Sequence, residues 1–395
     1  MRYGWILMAL ALTATVASPA VAEMLAILNY ETAAEESLES LQVQGGPEQR
    51  REGLAIVELD PESPDYGKFV ADIPASPDLM LHHVFYNRDL SKAYVTALEQ
   101  PILHVIDLNR FPYRLKPIPT PGCAVQEDII FSDDNRTWYV TCMGSSNVVE
   151  GDAVSDTVRR LIDLPGAYPH GVAFDASIDR VVVTNCVAPD MSAAGHTLEI
   201  IEASTGAHLG GIQISRKKNS APVEALFVPN ADPPAVYVTN MMEDSLWAAV
   251  WNPATGTFDA KEVIDFAAHD THMPLEMYFN RAGDRLYVTT AEPGHFSIFD
   301  LSNGPFKPRL LKQLTAAAGA HHVAITPDER TAYVQNALLN LPGLSDGSIT
   351  VIDLEKMEVA GAITTFKDQG LSPNSITMLP EWYHPAGHFN NGPRD

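Results

Sequence analysis

The chain has 395 residues, of which 46% are hydrophobic, and its 26 basic and 50 acidic residues give a formal net charge of −24. A field of that sign repels phosphate groups, which excludes nucleic acid as a partner. No segment reaches about 18 uninterrupted apolar residues, so we expect no membrane insertion, and the composition is that of a globular protein with a large core.

Residues 1–22 have the features of a secretory signal peptide. Arg2 precedes an apolar core from Trp5 to Val16, and Ala20-Val21-Ala22 forms a cleavage site of small residues. We therefore divide the chain into a signal peptide, residues 1–22, and a single domain, residues 23–395. The expected location is outside the cytoplasm, most simply a bacterial periplasm.

A unit of two short apolar runs, separated by a turn rich in Asp, Asn and Pro, recurs along the chain. Its clearest copy is HGVAFDASIDRVVVTN, from His170 to Asn185. The residue that closes the second run recurs every 43 to 55 positions, at Thr96, Thr141, Thr184, Thr239, Thr289 and Gln335. A period of this length, built from β-branched and aromatic residues, is typical of β-propeller blades, each a four-stranded antiparallel sheet.

Six copies are complete, and the two ends of the chain supply a seventh. The run Asn374–Leu379 provides the innermost strand of that blade, while runs that begin at Met24, Leu54 and Lys68 provide the outer strands. Pairing the first strand with the last removes an exposed sheet edge. The sequence thus predicts an all-β, seven-bladed β-propeller whose ring is closed by N- and C-terminal strands in one blade.

The start of the first strand and the end of the second lie at the same end of an antiparallel blade. Blade starts should therefore converge on one face, where innermost strands surround the central channel. The aligned blade starts are His82-His83, Glu127-Asp128, His170-Gly171, Val223-Glu224, Leu275-Glu276, His321-His322 and Asn374-Ser375. Five histidines and four carboxylates are thereby predicted at one mouth of the channel.

A single histidine at a strand start is usually a structural group, but this repetition is costly without a counter-ion, so either water or a cation fills the mouth. Imidazole-rich sites favour copper, iron or zinc over calcium or magnesium. We predict a metal site, with copper as the leading candidate and iron or zinc as alternatives. Its predicted ligands are His82, His83, His170, His321 and His322.

Glu224 and Glu276 are the predicted catalytic carboxylates, which either take up a proton or lie behind the ligands and orient them. Adjacent strand residues point to opposite faces, so one histidine of each His-His pair should face the axis, and the sequence does not say which. The connection His269–His272 lies on the same face, where it supplies a ligand, covers the site or is a plain exposed loop.

The three cysteines are too few for a disulfide scaffold. Cys142 and Cys186 end the second strands of adjacent blades, which allows a cross-blade disulfide and leaves Cys123 free. The alternative is that all three are small buried hydrophobic residues.

Two resemblances to known families follow from these motifs. The repeats, with a literal YVTN at Tyr237–Asn240, resemble the YVTN family of seven-bladed propellers. The run PVEALFVPNADPPAVYVTNMMEDSLW, which begins at Pro222, resembles the selenium-binding protein / methanethiol oxidase family. That resemblance implies a copper site made from the blade-start residues, with Glu224 the best-matched position. The chain departs from the family in lacking a Cys-x-x-Cys segment near its start.

Two functions are consistent with these features. The first is a periplasmic copper-dependent oxidase of a small thiol or similar small molecule. The second is a non-catalytic propeller that holds metal or binds a partner protein on the same face. An open coordination position distinguishes them, because a catalytic metal keeps one and a storage or structural metal does not.

Overall fold

A computed structural model describes residues 24–33 and 51–380. The predicted signal peptide lies outside these ranges. Regular structure is almost entirely β; the helices of the described chain are α1 (Thr365–Asp368) and the 3-10 helices Met143–Ser145 and Ala267–His269. Over the described ranges, the search for a helix with the length and hydropathy of a membrane span finds none.

The described residues form 28 strands in seven four-stranded antiparallel sheets, which confirms the predicted seven-bladed β-propeller. The innermost strands of neighbouring blades contact one another all the way around the ring.

Blade 1 contains β4 (Leu81–Tyr86), β5 (Lys92–Ala97), β6 (Ile102–Asp107) and β7 (Lys116–Pro119); blade 2 contains β8 (Gln126–Phe131), β9 (Thr137–Cys142), β10 (Asn147–Asp152) and β11 (Thr157–Asp163). Blade 3 contains β12 (Pro169–Asp175), β13 (Arg180–Asn185), β14 (Thr197–Glu202) and β15 (Ala207–Gln213); blade 4 contains β16 (Pro222–Phe227), β17 (Ala235–Asn240), β18 (Ser245–Asn252) and β19 (Thr257–Asp265). Blade 5 contains β20 (His272–Phe279), β21 (Arg285–Glu292), β22 (Gly294–Asp300) and β23 (Arg309–Thr315); blade 6 contains β24 (Ala320–Ile325), β25 (Thr331–Asn336), β26 (Ile349–Asp353) and β27 (Glu358–Ile363). Blade 7 contains β28 (Leu371–Met378), β1 (Leu25–Thr32), β2 (Glu52–Glu58) and β3 (Phe69–Pro74).

Burial changes from the inside of each blade to its outside. The innermost strands are buried along nearly their whole length, as in β4 and β16, because both of their faces lie against neighbouring blades. The outermost strand alternates between exposed and half-buried residues, as in β15. Aromatic side chains pack between blades; the rings of Tyr139 and Phe174, from blades 2 and 3, stack with centroids 6.1 Å apart. Each fully buried large apolar side chain stabilises the fold by about 1.5–3 kcal/mol.

Strands from both ends of the chain complete blade 7, as predicted. β28 pairs with β1 in an antiparallel ladder, and β2 and β3 follow outward. The Tyr86 hydroxyl donates a hydrogen bond of 2.7 Å to the Met378 carbonyl, and the Tyr333 hydroxyl donates one of 2.9 Å to the Leu59 carbonyl. Blade 7 is thereby joined to blade 1 on one side and to blade 6 on the other.

Every innermost strand carries a β-bulge at the predicted site pair. In blade 1, the ladder between β4 and β5 shifts register between Leu81 and Val84, so that His82 and His83 fall outside regular pairing. Blades 2 to 6 shift at the corresponding position, and the ladder of β28 with β1 shifts at Asn374. β-Bulges are frequent beside functional sites because they re-aim side chains.

The threonine of the repeated Tyr-Val-Thr motif supports this bulge. Thr141 Oγ1 accepts a hydrogen bond of 2.9 Å from the Asp128 amide and donates one of 2.5 Å to the His170 carbonyl of the next blade. The amide of the second residue of each pair is bound in the same way in all of blades 1 to 6, by Thr96, Thr141, Thr184, Thr239, Thr289 and Gln335. The motif thus satisfies the backbone at the bulge and, through the bond from Thr141, joins neighbouring blades.

The predicted cysteine pairing is wrong. Cys123 and Cys142 form a disulfide with their Cα atoms 5.1 Å apart, and Cys186 is a free, buried thiol. The reason is local: Cys142 pairs in the β-ladder with Gln126 of the same blade, and Cys123 lies three residues before Gln126. The chain that enters blade 2 therefore reaches Cys142.

Candidate metal centre

The bulges bring both histidines of each His-His pair into the channel. The first residues of the blade-start pairs form an outer layer and the second residues an inner layer. The expectation that one histidine of each pair faces the axis is therefore wrong. The rings of His82 and His83 stack with centroids 3.7 Å apart, and those of His321 and His322 are 4.1 Å apart. Regular strand alternation would have sent these neighbours to opposite faces.

The nine ionisable side chains of the two layers are buried. His170 is the most accessible at 9%, and Glu224 and Glu276 are at 0%. The site therefore lies inside the channel and not at an open mouth. Burial removes the water that would otherwise solvate these groups, which makes direct contacts among them energetically decisive.

Three outer-layer side chains form the first potential metal-binding group, which we term the outer group: His82, Glu127 and His170. The His82 Nε2 atom lies 2.8 Å from Glu127 Oε2, and His170 Nε2 lies 3.6 Å from the same oxygen. One ligand atom from each residue lies within 4.8 Å of the other two. Three consecutive blades supply these residues, because their innermost strands are neighbours around the ring.

A second set of three, the inner group, consists of His83 and His322 from the inner layer and His321 from the outer layer, again with ligand atoms within 4.8 Å of one another. Blades 1 and 6 supply them across the channel, and the rings of His83 and His322 are 4.5 Å apart. Asp128 Oδ1 lies 2.7 Å from His83 Nδ1, and Glu276 Oε1 lies 3.6 Å from His321 Nε2. Carboxylates thus lie behind the imidazoles, the arrangement that fixes ring orientation in metal sites.

Burial controls the protonation of these groups. Desolvation, followed by the neighbouring imidazoles, lowers the pKa of His83 well below its usual value. Desolvation also lowers the pKa of His170, against the opposing effect of Glu127. Both rings are therefore neutral at physiological pH, which is the form that binds metal.

The carboxylates shift in the opposite direction. Desolvation and the negative charges of their neighbours raise the pKa of Asp128 and of Glu224 well above the usual range. A cation in the channel would oppose both causes and favour the ionised carboxylates. The electrostatics of the channel are therefore suited to a bound cation.

Gly171 occupies the inner layer in blade 3 and contributes no side chain. A Cβ atom at this position would lie 2.4 Å from the Val223 carbonyl oxygen and 2.9 Å from the Glu224 Cα. The glycine therefore allows the innermost strands of blades 3 and 4 to approach closely.

A pocket of about 60 Å³ lies over the outer group. The polar part of its lining is His82, Glu127, His170 and His321, and the remainder is mostly aliphatic and sulfur-containing. The loops that follow the second strands supply much of that remainder, so the pocket lies on the face that the sequence predicted. Its methionines are Met143, Met191, Met241 and Met273.

All five predicted histidine ligands belong to the two groups. Glu276 contacts the inner group, and Glu224 lies beside Asp128 and Glu276 in the inner layer. The carboxylate that lines the pocket is Glu127, which we did not predict as a ligand or catalytic residue. The signal was its alignment with His82 and His170 at the blade starts.

The connection His269–His272 lies apart from both groups. His272 Nδ1 is 2.8 Å from Asp244 Oδ2, and the histidine side chain is 49% exposed. The hydrogen bond that His272 donates to the Asp244 carboxylate raises the pKa of His272. This segment therefore matches the exposed-loop alternative.

No protein-family model and no curated protein sequence matches the chain. Solved structures share its fold. A hypothetical selenium-binding protein from Sulfolobus tokodaii superposes with a TM-score of 0.70 at 13% identity, over 93% of this chain and 96% of that one. A provisionally named 6-phosphogluconolactonase from Bacteroides fragilis gives a TM-score of 0.59 at 10% identity, over 92% and 100%. Hydrazine synthase from Kuenenia stuttgartiensis gives 0.52 at 13%, over 71% and 78%. At these identities the likeness establishes the fold alone.

Proposed function

We propose that this protein is a periplasmic, copper-dependent oxidoreductase that oxidises a small thiol or similarly small molecule in the pocket over the outer group. One observation carries the proposal: five buried histidines and Glu127 converge in the channel, and four of these residues, His82, Glu127, His170 and His321, form the polar floor of a small apolar pocket. The proposed location rests on the signal-peptide features of residues 1–22.

The donor set fits a transition metal. Within the described ranges, His83 Nε2 and His321 Nδ1 are buried nitrogen atoms without a hydrogen-bond partner, and each is the ring nitrogen opposite the one that contacts a carboxylate. Leaving such an atom unsatisfied costs about 1–3 kcal/mol, and metal ligation offsets that cost. Among divalent ions of the first transition row, copper binds most strongly to nitrogen-rich sites, so copper is the leading candidate. Iron and zinc are the alternatives. When bound, copper supplies one-electron redox chemistry and a Lewis acid.

The side chains around the histidines take separate roles in this proposal. Glu127 lines the pocket beside His82 and His170, and we assign to it the binding of the metal together with these two histidines. Asp128 holds His83 through the 2.7 Å contact, and Glu276 is placed to hold His321. We assign to Glu224 and Glu276 the role of balancing the charge of a metal ion from the inner layer. The alternative role, which the sequence suggests, is that one of these two carboxylates takes up a proton.

The pocket favours a small, uncharged molecule. A volume of about 60 Å³ equals the space of about five water molecules. A charged substrate would lose its hydration in this mostly apolar pocket, and only the outer group at the pocket floor could offset that loss with polar contacts. Thioether side chains such as Met241 also make favourable contacts with soft groups such as sulfur.

The sequence resemblance supports the choice of chemistry. The segment from Pro222 resembles the selenium-binding protein / methanethiol oxidase family, and the methanethiol oxidases of that family use copper. The Sulfolobus tokodaii protein of similar fold bears a selenium-binding name. These points are analogies and supplement the site geometry.

The second candidate is a non-catalytic propeller that holds metal or binds a partner protein. The burial of all five histidines favours it, since a storage or structural metal is closed to solvent. Azide provides a discriminating probe. An open coordination position binds azide and changes the absorption spectrum of the copper protein, whereas a closed position does not.

The test uses the purified protein after copper loading, with elemental analysis and oxygen uptake in the presence of methanethiol. We expect bound copper and thiol-dependent oxygen consumption, both reduced in the His170→Ala variant. His104→Ala is the matched control because His104 is a buried histidine of blade 1 outside the two groups. Bound copper without turnover or azide response would favour the second candidate. A wild type that binds no copper, iron or zinc would refute the metalloenzyme.

A further inference from the structure

We propose that the channel holds two metal ions: an outer ion bound by His82, Glu127 and His170, and an inner ion bound by His83, His321 and His322. The inference rests on the proposed function, because it specifies the number of metals in the same channel. It comes from the structural division of the predicted ligands into two complete sets.

Two of the three distances between ligand atoms in the outer group are close to those of a metal-ligand set. For metal–ligand bonds of about 2.0–2.1 Å, neighbouring ligand atoms lie about 2.9–3.4 Å apart. The two contacts of Glu127 Oε2, at 2.8 Å to His82 and 3.6 Å to His170, bracket that range. The contact with His82 also lacks hydrogen-bond geometry, since in the described chain Glu127 Oε2 has no hydrogen-bond partner. This geometry is expected where two lone pairs point toward a third atom.

The inner group has its own supporting carboxylates. Asp128 contacts His83 Nδ1, which leaves Nε2 of that ring to face other atoms. Among the residues that the structure describes, no partner is found for His83 Nε2, although the ring is buried. An ion confined to the outer group would leave this nitrogen unsatisfied. A second ion in the inner group removes that cost.

The balance of charge in the channel also indicates two metal ions. The channel contains four buried carboxylates, from Glu127, Asp128, Glu224 and Glu276. Two divalent ions neutralise four ionised carboxylates, whereas one ion leaves two that must stay protonated or remain as uncompensated buried charges.

The two ions would differ in access. His82, Glu127 and His170 line the pocket, so the outer ion can offer coordination positions to a small molecule. Two histidines and one carboxylate form a ligand set that typically leaves positions open. Of the inner group, His321 alone is among the residues that line this pocket. Small molecules should therefore bind to the outer ion.

Metal stoichiometry tests the proposal without an activity assay. Full-length protein is stripped with a chelator, loaded with copper, desalted and analysed for copper per chain. We expect two ions in the wild type, about one in His170→Ala, about one in His83→Ala and almost none in the double variant. His104→Ala should retain two. Azide should change the spectrum of the wild type and of His83→Ala but not that of His170→Ala.

The failures of the two proposals are distinguishable. One copper per wild-type chain, lost in both single variants, would overturn the two-ion inference and leave the metalloenzyme standing. Two ions retained in both single variants would place the metals elsewhere and overturn the inference. A wild type without metal would overturn both. If circular dichroism shows that either alanine variant is unfolded, the corresponding glutamine variant replaces it, because glutamine restores most of the lost volume.

Discussion

His83 Nδ1 lies 2.7 Å from Asp128 Oδ1, and these two residues occupy the same position in neighbouring blades. The bulge in each innermost strand is what turns both side chains into the channel. When Asp128 is ionised it accepts a hydrogen bond from Nδ1–H, so that His83 presents the Nε2 lone pair to the inner group. The side chain of Asp128 in blade 2 therefore determines which ring nitrogen of His83, in blade 1, can bind a metal.

Asp128→Asn should weaken metal binding at the inner group. An amide can present its nitrogen to His83 and does not enforce the tautomer, so we expect affinity to fall about 10- to 100-fold. Competition with a chelator of known affinity measures this change. Asp175→Asn, at the end of β12 farthest from His170, is the control and should bind as the wild type does. Equal affinities in both variants would show that Asp128 does not orient His83.

Thr141→Val should destabilise the ring. The substitution keeps the shape of the side chain and removes its hydrogen bonds with the Asp128 amide and the His170 carbonyl. Two buried backbone groups then lose a partner, and we expect a loss of about 2–3 kcal/mol in the free energy of unfolding. Urea denaturation measures it. Thr315→Val, at the exposed end of β23, should change stability by less than about 0.5 kcal/mol; a similar loss in both variants would contradict the proposed role.

Cys123→Ala should remove the disulfide and with it the dependence of stability on reductant. The bridge closes a loop of 19 residues, and loop-closure entropy predicts a loss of about 3 kcal/mol. Thermal unfolding with and without dithiothreitol measures the effect. Cys186→Ala is the control: the disulfide remains, so the response to reductant should remain. Thiol titration of denatured wild type should find one free thiol, and three would refute the bridge.

Glu224→Gln should stabilise the metal-free protein at neutral pH. Burial and the neighbouring carboxylates raise the folded-state pKa of Glu224 above its unfolded value of about 4.3. Its contribution to stability is thus complete below that value and is lost as pH rises through the folded pKa. Glutamine does not ionise, so the stability of the variant relative to the wild type should increase as the pH rises from 4 to 8.

Thermal melts of chelator-treated protein across this pH range test the sign. Glu62→Gln, at an exposed turn position, should show no such pH-dependent gain. A Glu224→Gln variant that is less stable than the wild type at pH 8 would contradict the assignment. Because the same carboxylate balances metal charge in our proposal, the variant should also bind metal more weakly.

The sequence by itself determined the architecture. Apolar runs such as Val181–Val183 recur, with turns between them, at the interval of one propeller blade. The alternation of apolar and polar residues along a strand depends only on neighbours in sequence, so the sequence alone reveals it. Hydrogen bonding within each blade then follows from short hairpins. The seventh blade was also predictable, because the runs at Leu54 and Asn374 lacked partners within complete repeats. Alignment of the repeats was enough to find His170 and the other histidines.

Only the tertiary structure decided how those residues are used. The bulge at His82-His83 depends on cross-strand pairing and on Thr96, so strand alternation gives the wrong orientation. The sorting of the histidines into two groups depends on distances between blades, which periodicity does not encode. Glu127 becomes a pocket residue, and Cys142 pairs with Cys123, because loops and neighbouring strands meet there in space. Local pattern specifies each strand, whereas closure of the ring specifies which side chains share the channel.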